Sequence, residues 1–489
     1  MSEMTKKQSP RVGVIGGGLG GLAAAVRLAH AGCRVVLYEK NSVVGGKLRG
    51  VEREGYRWDG GPSLLTMPQV LAELFEAVGE RMEDHLELVR LETTCRYRWA
   101  DGTVIDEDEA FWRRPEVASY LRYGAGVYGL SAEAFLENDI ADWWKLLKPA
   151  NLAKLVHFPK IANPLSLWAD IGRRFRDPHL RQLFGRFATY NGSSPFRTPA
   201  AFAIIAYVQA KFGGWYVRGG LNRIASVLET LGRARGVEFR LGRGATGLRR
   251  VPDGYGIATD GEWEAYDRVV CNEDALLASQ NLMPRPYASW FKEKYLRKRE
   301  VSLSGFVLML GLRKRYDGLS HHNVFFSSDY RREFGQLFGS HLPAEEPTIY
   351  VCASSRTDPE CAPPGCDNWF VLVNAPALRS SSRWGQIAGG YGDAVIGALE
   401  RFGFGGLAGE IAVREVFTPA DFRKQFAAYG GAIYGFASHG LFSAFRRPPI
   451  EPPDMPGLYF VGGTTHPGGG IPLVLHGGRI VARKILATV

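Results

Sequence analysis

The sequence predicts an α/β fold in which a Rossmann-type dinucleotide-binding domain is assembled from distant parts of the chain. Three observations predict it. Residues 12–15, 20–31 and 34–39 read as strand, small-residue helix closed by Gly32, and strand, a βαβ opening. Residues 458–461 read as a last buried strand, followed by a glycine-rich loop and a helix over 472–486. Between these ends, strand-rich and helical stretches alternate, with no internal repeat or low-complexity tract.

The elements follow in order. A helical pattern over 70–78 precedes a strand-like alternation over 86–106 that turns at Asp101 and Gly102. Residues 111–211 are helical and rich in Trp, Phe, Lys and Arg, with breaks at Pro149, Pro159, Pro164 and Pro178. A helix runs from Gly219-Gly220 to about Arg235. Residues 237–271 then read as strands turned at Asp253-Gly254 and Asp260-Gly261, a meander suited to packing over a Rossmann sheet. A mixed, strand-rich stretch occupies 301–417.

Composition narrows the function classes. The 489 residues are 45% hydrophobic and 22% charged, which suits a globular chain and neither a disordered nor a membrane-spanning one. The longest apolar stretches, 202–210 and 301–312, fall short of the roughly 18 to 20 residues that a bilayer span needs. The opening MSEMTKKQSP lacks the apolar core of a signal peptide. The six cysteines are scattered without a CxxC pair, so a reducing cytoplasm is expected and no metal site, Cys361 and Cys366 included. The 60 glycines are the unusual entry and imply many close approaches of backbone to backbone or ligand.

Gly16, Gly18 and Gly21 form GxGxxG. With 60 glycines in 489 residues the bare pattern arises by chance roughly once, so its setting carries the signal. A strand precedes it, a helix follows, and Glu39 ends the next strand 18 residues after Gly21. Gly16 permits the turn, Gly18 admits a pyrophosphate, and Gly21 lets the helix pack on the strand. Amides at the helix N-terminus face the phosphates. Glu39 can accept hydrogen bonds from ribose hydroxyls and would repel a 2'-phosphate. Further glycine pairs, Gly45-Gly46 before Lys47 and Gly60-Gly61 before Pro62, provide the extra backbone approaches that separate FAD from NAD.

These motifs carry a resemblance. GGGLGG, YEKNSVVGGKLRG, WDGGPSLLTMP and GLYFVGGTTHPGGGIPLVLHGGRIVARKI resemble the flavin signatures of the phytoene desaturase family of carotenoid oxidoreductases, related more distantly to amine oxidases. VRGGLNRIASVL is similar to that family's middle helix. GGPSLLTMP, LRQLFGRFATYNGSSPF and HPGGGIP most resemble the acyclic 1-hydroxycarotenoid 3,4-desaturases. The resemblance implies that Gly16, Gly18, Gly21, Glu39, Gly46, Lys47, Gly61, Pro62, Gly462, Gly463, Thr464, Gly470, Ile471 and Pro472 lie on FAD. Lys47 could equally be a solvated surface lysine. His466, on a flavin-side loop, is the catalytic candidate, set against a role of holding that loop's backbone.

The expected domains are an FAD-binding domain from 10–80, 213–290 and 451–489, a substrate domain with a mixed sheet from 81–110 and 291–450, and a helical insertion at 111–212. From Trp143 to Arg186 nine Lys or Arg oppose only Asp170 and Asp177, interleaved with Trp143, Trp144, Phe158, Trp168 and Phe175. That mixture suits a lipid headgroup layer. The alternatives are a solvated face over a packed core, and a nucleic-acid groove that no accompanying signature supports.

The implied activity is introduction of a carbon-carbon double bond into a long acyclic carotenoid, specifically the 3,4 bond of a 1-hydroxycarotenoid; the sequence does not reveal the final electron acceptor, for which a quinone and oxygen are the candidates. Hydride would pass to flavin and a proton would leave the adjacent carbon, with charge delocalised over the polyene. An early-pathway phytoene desaturase and an amine-oxidase-like flavoenzyme are the alternatives, beside a flavin-binding protein without turnover. A buried substrate hydroxyl needs a polar partner, for which His439 and Asn191 are the sequence candidates. The expected location is the cytoplasm, peripherally on a membrane.

Overall fold

The computed structural model describes residues 9–136, 138–139, 163–283, 299–441, 443 and 446–488. Arg11–Ile15, Arg34–Glu39, Glu238–Leu241, Arg268–Cys271 and Leu458–Phe460 form one five-stranded parallel sheet. Arg11–Ile15 sits at its centre, between Arg34–Glu39 and Arg268–Cys271, and Leu458–Phe460 closes the edge beyond Arg268–Cys271. The strands are buried runs of Val, Ile and Leu because helices cover the face between them and solvent. Leu19–His30, Arg223–Ala234 and Ile471–Leu486 supply that cover, and their apolar sides share one core with Val12, Val14, Val35 and Leu37. Leu19–His30 packs closely because it is built of Gly, Ala, Leu and Val, nearly all buried.

The other face carries the antiparallel meander Gly247–Val251, Gly254–Thr259 and Glu262–Tyr266. Leu248, Ile257 and Tyr266 bury against Ile15, Val36 and Tyr38. Its second turn places Asp260 and Gly261 at positive φ, 52° and 86°, the geometry of a tight two-residue hairpin.

A seven-stranded mixed sheet is formed by Ile411–Phe417, Ser304–Leu312, Asp367–Ala375, Ile349–Cys352, His322–Phe325, Arg96–Arg98 and Val104–Asp106, in that order. The alternation expected over 86–106 is split. Leu88–Arg90 pairs instead with Trp215–Val217, while the hairpin Arg96–Arg98 and Val104–Asp106 joins the seven-stranded sheet. One face of that sheet, with Leu308, Leu310, Val351, Trp369 and Val371, packs on the helix Trp384–Arg401. The opposite face, with Met309, Tyr350, Phe370 and Leu372, turns toward the parallel sheet.

Helices Pro115–Leu136, Leu167–Arg174, Pro178–Arg186 and Ala203–Phe212 cover the remaining side. Trp143, Trp144, Lys145, Lys148, Lys154, Phe158 and Lys160 lie outside the described residues. In the described part of that basic segment, Phe175 stacks on Phe184 in the core and Trp168 packs against Phe196. Arg174 pairs with Asp170, whereas Arg173 and Arg176 are exposed. All six cysteines are free thiols.

Candidate functional site

A cavity of about 520 Å3 runs from the C-terminal edge of the parallel sheet to the inner face of the mixed sheet. At its first end, strand Arg11–Ile15 stops at Gly16, whose φ of 94° turns the chain into the helix that begins at Leu19. A Cβ on Gly21 would stand 2.3 Å from the Gly16 carbonyl oxygen, so only glycine allows the helix to sit this close. Glu39 is buried; one carboxylate oxygen accepts from Gly17 N at 2.8 Å and the other from Asn41 N and Nδ2 at 2.8 and 2.7 Å. Those bonds fix the loop and use three of its roughly four acceptor sites, leaving capacity for a ligand hydroxyl.

Lys47 is not a surface lysine. Its Nζ donates to the carbonyls of Ile433 at 2.6 Å and Ala432 at 3.2 Å, and desolvation pulls its pKa down to about 8 against the opposing pull of Asp274. A lysine desolvated beside a cavity is suited to receive an anion. Gly46, Gly61 and Pro62 line the same wall.

The C-terminal strand delivers Gly462, Gly463 and Thr464 to the cavity, and Gly470, Ile471 and Pro472 follow at the start of the last helix. Thr464 Oγ1 accepts from Ala275 N at 3.0 Å. Asn272, which sequence reasoning missed, ties both ends of the chain together. Its Oδ1 accepts from Gly21 N at 3.1 Å and its Nδ2 donates to Val461 O at 2.7 Å. Of the residues the motifs assign to FAD, Gly21 alone stands behind the cavity wall rather than on it.

His466 does not line the cavity. It is buried, with Nε2 bonded to the backbone carbonyl of Asn138 at 2.8 Å, so it holds loop to loop. His439 and Asn191 are also committed elsewhere. His439 accepts from Ser194 N at 2.9 Å and meets Glu300 at 2.8 Å, while Asn191 bonds Ser438 and Arg447.

The far wall is the mixed sheet, with Val324, Tyr350, Phe370 and Leu372, and a helical rim with Arg186, Thr189 and Tyr190. Ser63, directly after Pro62, bonds Tyr350 OH at 2.6 Å, and Tyr350 bonds His322 Nδ1 at 2.7 Å. Burial, His321 and Arg186 hold His322 well below the usual histidine range, and burial lowers His321 to about 3. Both imidazoles are therefore neutral at physiological pH. His321, His322 and Cys352 place potential metal-donor atoms within 4.8 Å of one another, a grouping that spacing hides because Cys352 arrives opposite His322 on the neighbouring strand.

Behind the rim lies a closed polar ring. Arg186 Nη2 donates to Tyr97 OH at 2.8 Å and Tyr190 OH at 3.3 Å; Tyr190 OH donates to Gln209 Oε1 at 2.7 Å. Tyr97 OH and Gln209 Nε2 both donate to the carboxylate of Glu107. Glu107 is fully buried, and desolvation raises its pKa to about 7.

Glycine loops from both ends of the chain, brought together at one edge of the parallel sheet, an anion-ready lysine and an adjoining apolar chamber define a dinucleotide-dependent redox site. Residues 19–486 match the family described as flavin containing amine oxidoreductase, and the chain belongs to that family. It is an FAD-dependent oxidoreductase. The chain is 34% identical over 485 residues, 96% of this chain and 98% of the relative, to a 1-hydroxycarotenoid 3,4-desaturase from Flavobacterium sp. (strain P99-3). It is also 34% identical over 501 residues, 99% of each, to a 4,4'-diapolycopene oxygenase from Methylomonas sp. A 4,4'-diaponeurosporene oxygenase from Staphylococcus aureus (strain MW2) is 32% identical over 97% of each chain. Among solved structures, an oxidoreductase from Methanosarcina mazei aligns with a TM-score of 0.66 at 18% identity, covering 97% of this chain and 100% of that one. Putrescine oxidase aligns with a TM-score of 0.66 at 16% identity, covering 98% and 99%.

Proposed function

We propose that the protein desaturates a long acyclic carotenoid and that its preferred substrate carries a hydroxyl at carbon 1, with the double bond formed at the 3,4 position. The observation that carries this reading is the near-full-length likeness to a 1-hydroxycarotenoid 3,4-desaturase. The chamber supports it: Phe370, Leu372 and Val324 offer an apolar wall to a polyene. The glycine loops, Glu39 and Lys47 would hold FAD, which when bound supplies a two-electron acceptor. The chain's own residues position the substrate, exclude water and keep His322 and Tyr350 uncharged at the wall. The electrons leave to a quinone or to oxygen.

The test supplies reconstituted enzyme separately with a 1-hydroxylated acyclic carotenoid, its unhydroxylated parent, phytoene and a diamine. One added conjugated double bond in the hydroxylated compound alone supports the reading. Multistep conversion of phytoene, oxygen insertion at a chain end, or turnover of the amine each contradicts it.

We also propose cytoplasmic, peripheral membrane association through 143–186. No helix among the described residues is long and apolar enough to cross a membrane. Exposed Arg173 and Arg176 support surface attraction of about 1 kcal/mol per cation. Replacing Lys145, Lys148, Arg173 and Arg176 with Gln should move protein from pellet to supernatant in sedimentation with anionic vesicles, and unchanged partitioning contradicts the proposal.

A further inference from the structure

The segment LRQLFGRFATYNGSSPF brings Arg186 to the cavity, a cation that the activity above does not use. Arg186 ends the helix Pro178–Arg186, is 9% exposed, and lines the same cavity as Pro62 and Gly463. Among the described residues, both of its hydrogen bonds run through Nη2, and its buried Nε has no partner. Its guanidinium carbon lies 5.1 to 5.5 Å from the ring centres of Tyr97, Phe187 and Tyr190, which surround the cation with aromatic faces. Both tyrosine hydroxyls spend their protons on the ring, Tyr97 on Glu107 and Tyr190 on Gln209. Arg186 is therefore the group of this ring left to donate into the cavity. A guanidinium has five donors and no acceptor, so what it binds must offer a lone pair. A cation with unmet donors is expensive beside an apolar wall unless a ligand oxygen meets it.

We infer that Arg186 is the specificity-determining residue of this enzyme: it donates to the oxygen near the reacting end of the substrate, while Tyr97, Glu107, Gln209 and Tyr190 hold it in place. The inference rests on the carotenoid reading. It also fits the chemistry, since a carbon-1 oxygen and the 3,4 bond are close neighbours along the chain and their contacts must share one cavity.

The experiment uses FAD-loaded enzyme with unaltered sequence, Arg186→Met, Arg186→Lys, and Arg186→Met combined with Glu107→Gln, which spares the protein an unbalanced buried carboxylate. Flavin content and thermal melting establish folding. Binding, read from perturbation of the flavin spectrum, and kcat/KM are measured for the 1-hydroxylated carotenoid and its hydrocarbon parent. A charge-assisted hydrogen bond predicts that Arg186→Met lowers the preference for the hydroxylated compound roughly 10- to 100-fold, with the hydrocarbon little changed. Arg186→Lys should restore part of it. An intact preference in either Met variant that keeps its flavin overturns the inference and leaves the carotenoid reading standing. Unaltered enzyme that uses both carotenoids equally overturns the inference together with the hydroxyl preference proposed above. Unaltered enzyme that binds neither overturns the reading and the inference together.

Discussion

Lys47, which we propose helps to hold FAD, gives that proposal a titration that can be read. With its pKa lowered from 10.5 to about 8, it sheds its proton in the cofactor-free protein above about pH 8, where a free lysine stays charged. The lowered value means that the folded state binds fewer protons than the unfolded one between those limits, so this group's cost to stability is full below about pH 8 and fades as pH rises. An anionic pyrophosphate reverses the preference. FAD binding near pH 9 should therefore take up protons, seen by calorimetry in buffers of different ionisation heat, and affinity should fall with rising pH. Lys47→Met should bind more weakly and without that uptake; equal uptake in both proteins contradicts the assignment. The motif made Lys47 visible in the sequence, but its burial was not legible, because the carbonyls that hold it come from residues 385 and 386 positions away. The bond of His466 to the Asn138 carbonyl was not legible for a related reason: a loop histidine looks the same whether it faces a cavity or a backbone carbonyl.

At the scale of elements, the parallel strands, the meander and the two framing helices were legible because short buried runs, tight turns and small-residue helices are local signals. The partition of 86–106 between two sheets was not, since register is chosen by distant partners such as Trp215–Val217. Asn272 belongs to this scale as well. It follows the strand Arg268–Cys271 and bridges segments 251 and 189 residues away, so no spacing rule could find it. Asn272→Leu preserves approximate volume while leaving Gly21 N and Val461 O without their partner. A loss of about 1–3 kcal/mol for each unpaired group is expected in urea unfolding, accompanied by reduced FAD retention. Unchanged stability and full flavin content would show that the two loops hold their positions without the bridge.

For the whole molecule, the sequence separated a nucleotide-binding sheet from a second, strand-rich region, and the structure adds the cavity between them. The inner face of the mixed sheet follows period-two alternation, with Tyr350 and Cys352 toward the cavity side and Val351 toward the helix Trp384–Arg401. The polar ring behind its rim draws on residues 97, 107, 186, 190 and 209, and only folding brings them together. The central claim is that the flavin's electrons come from an apolar, hydroxyl-bearing carotenoid. The most direct measurement mixes oxidised holoenzyme with one equivalent of a 1-hydroxylated acyclic carotenoid without oxygen or quinone, and follows both chromophores in a single turnover. Loss of the yellow flavin absorbance in step with a longer-wavelength carotenoid spectrum is the predicted result; a flavin that stays oxidised with the carotenoid, yet bleaches with an amine, would contradict it.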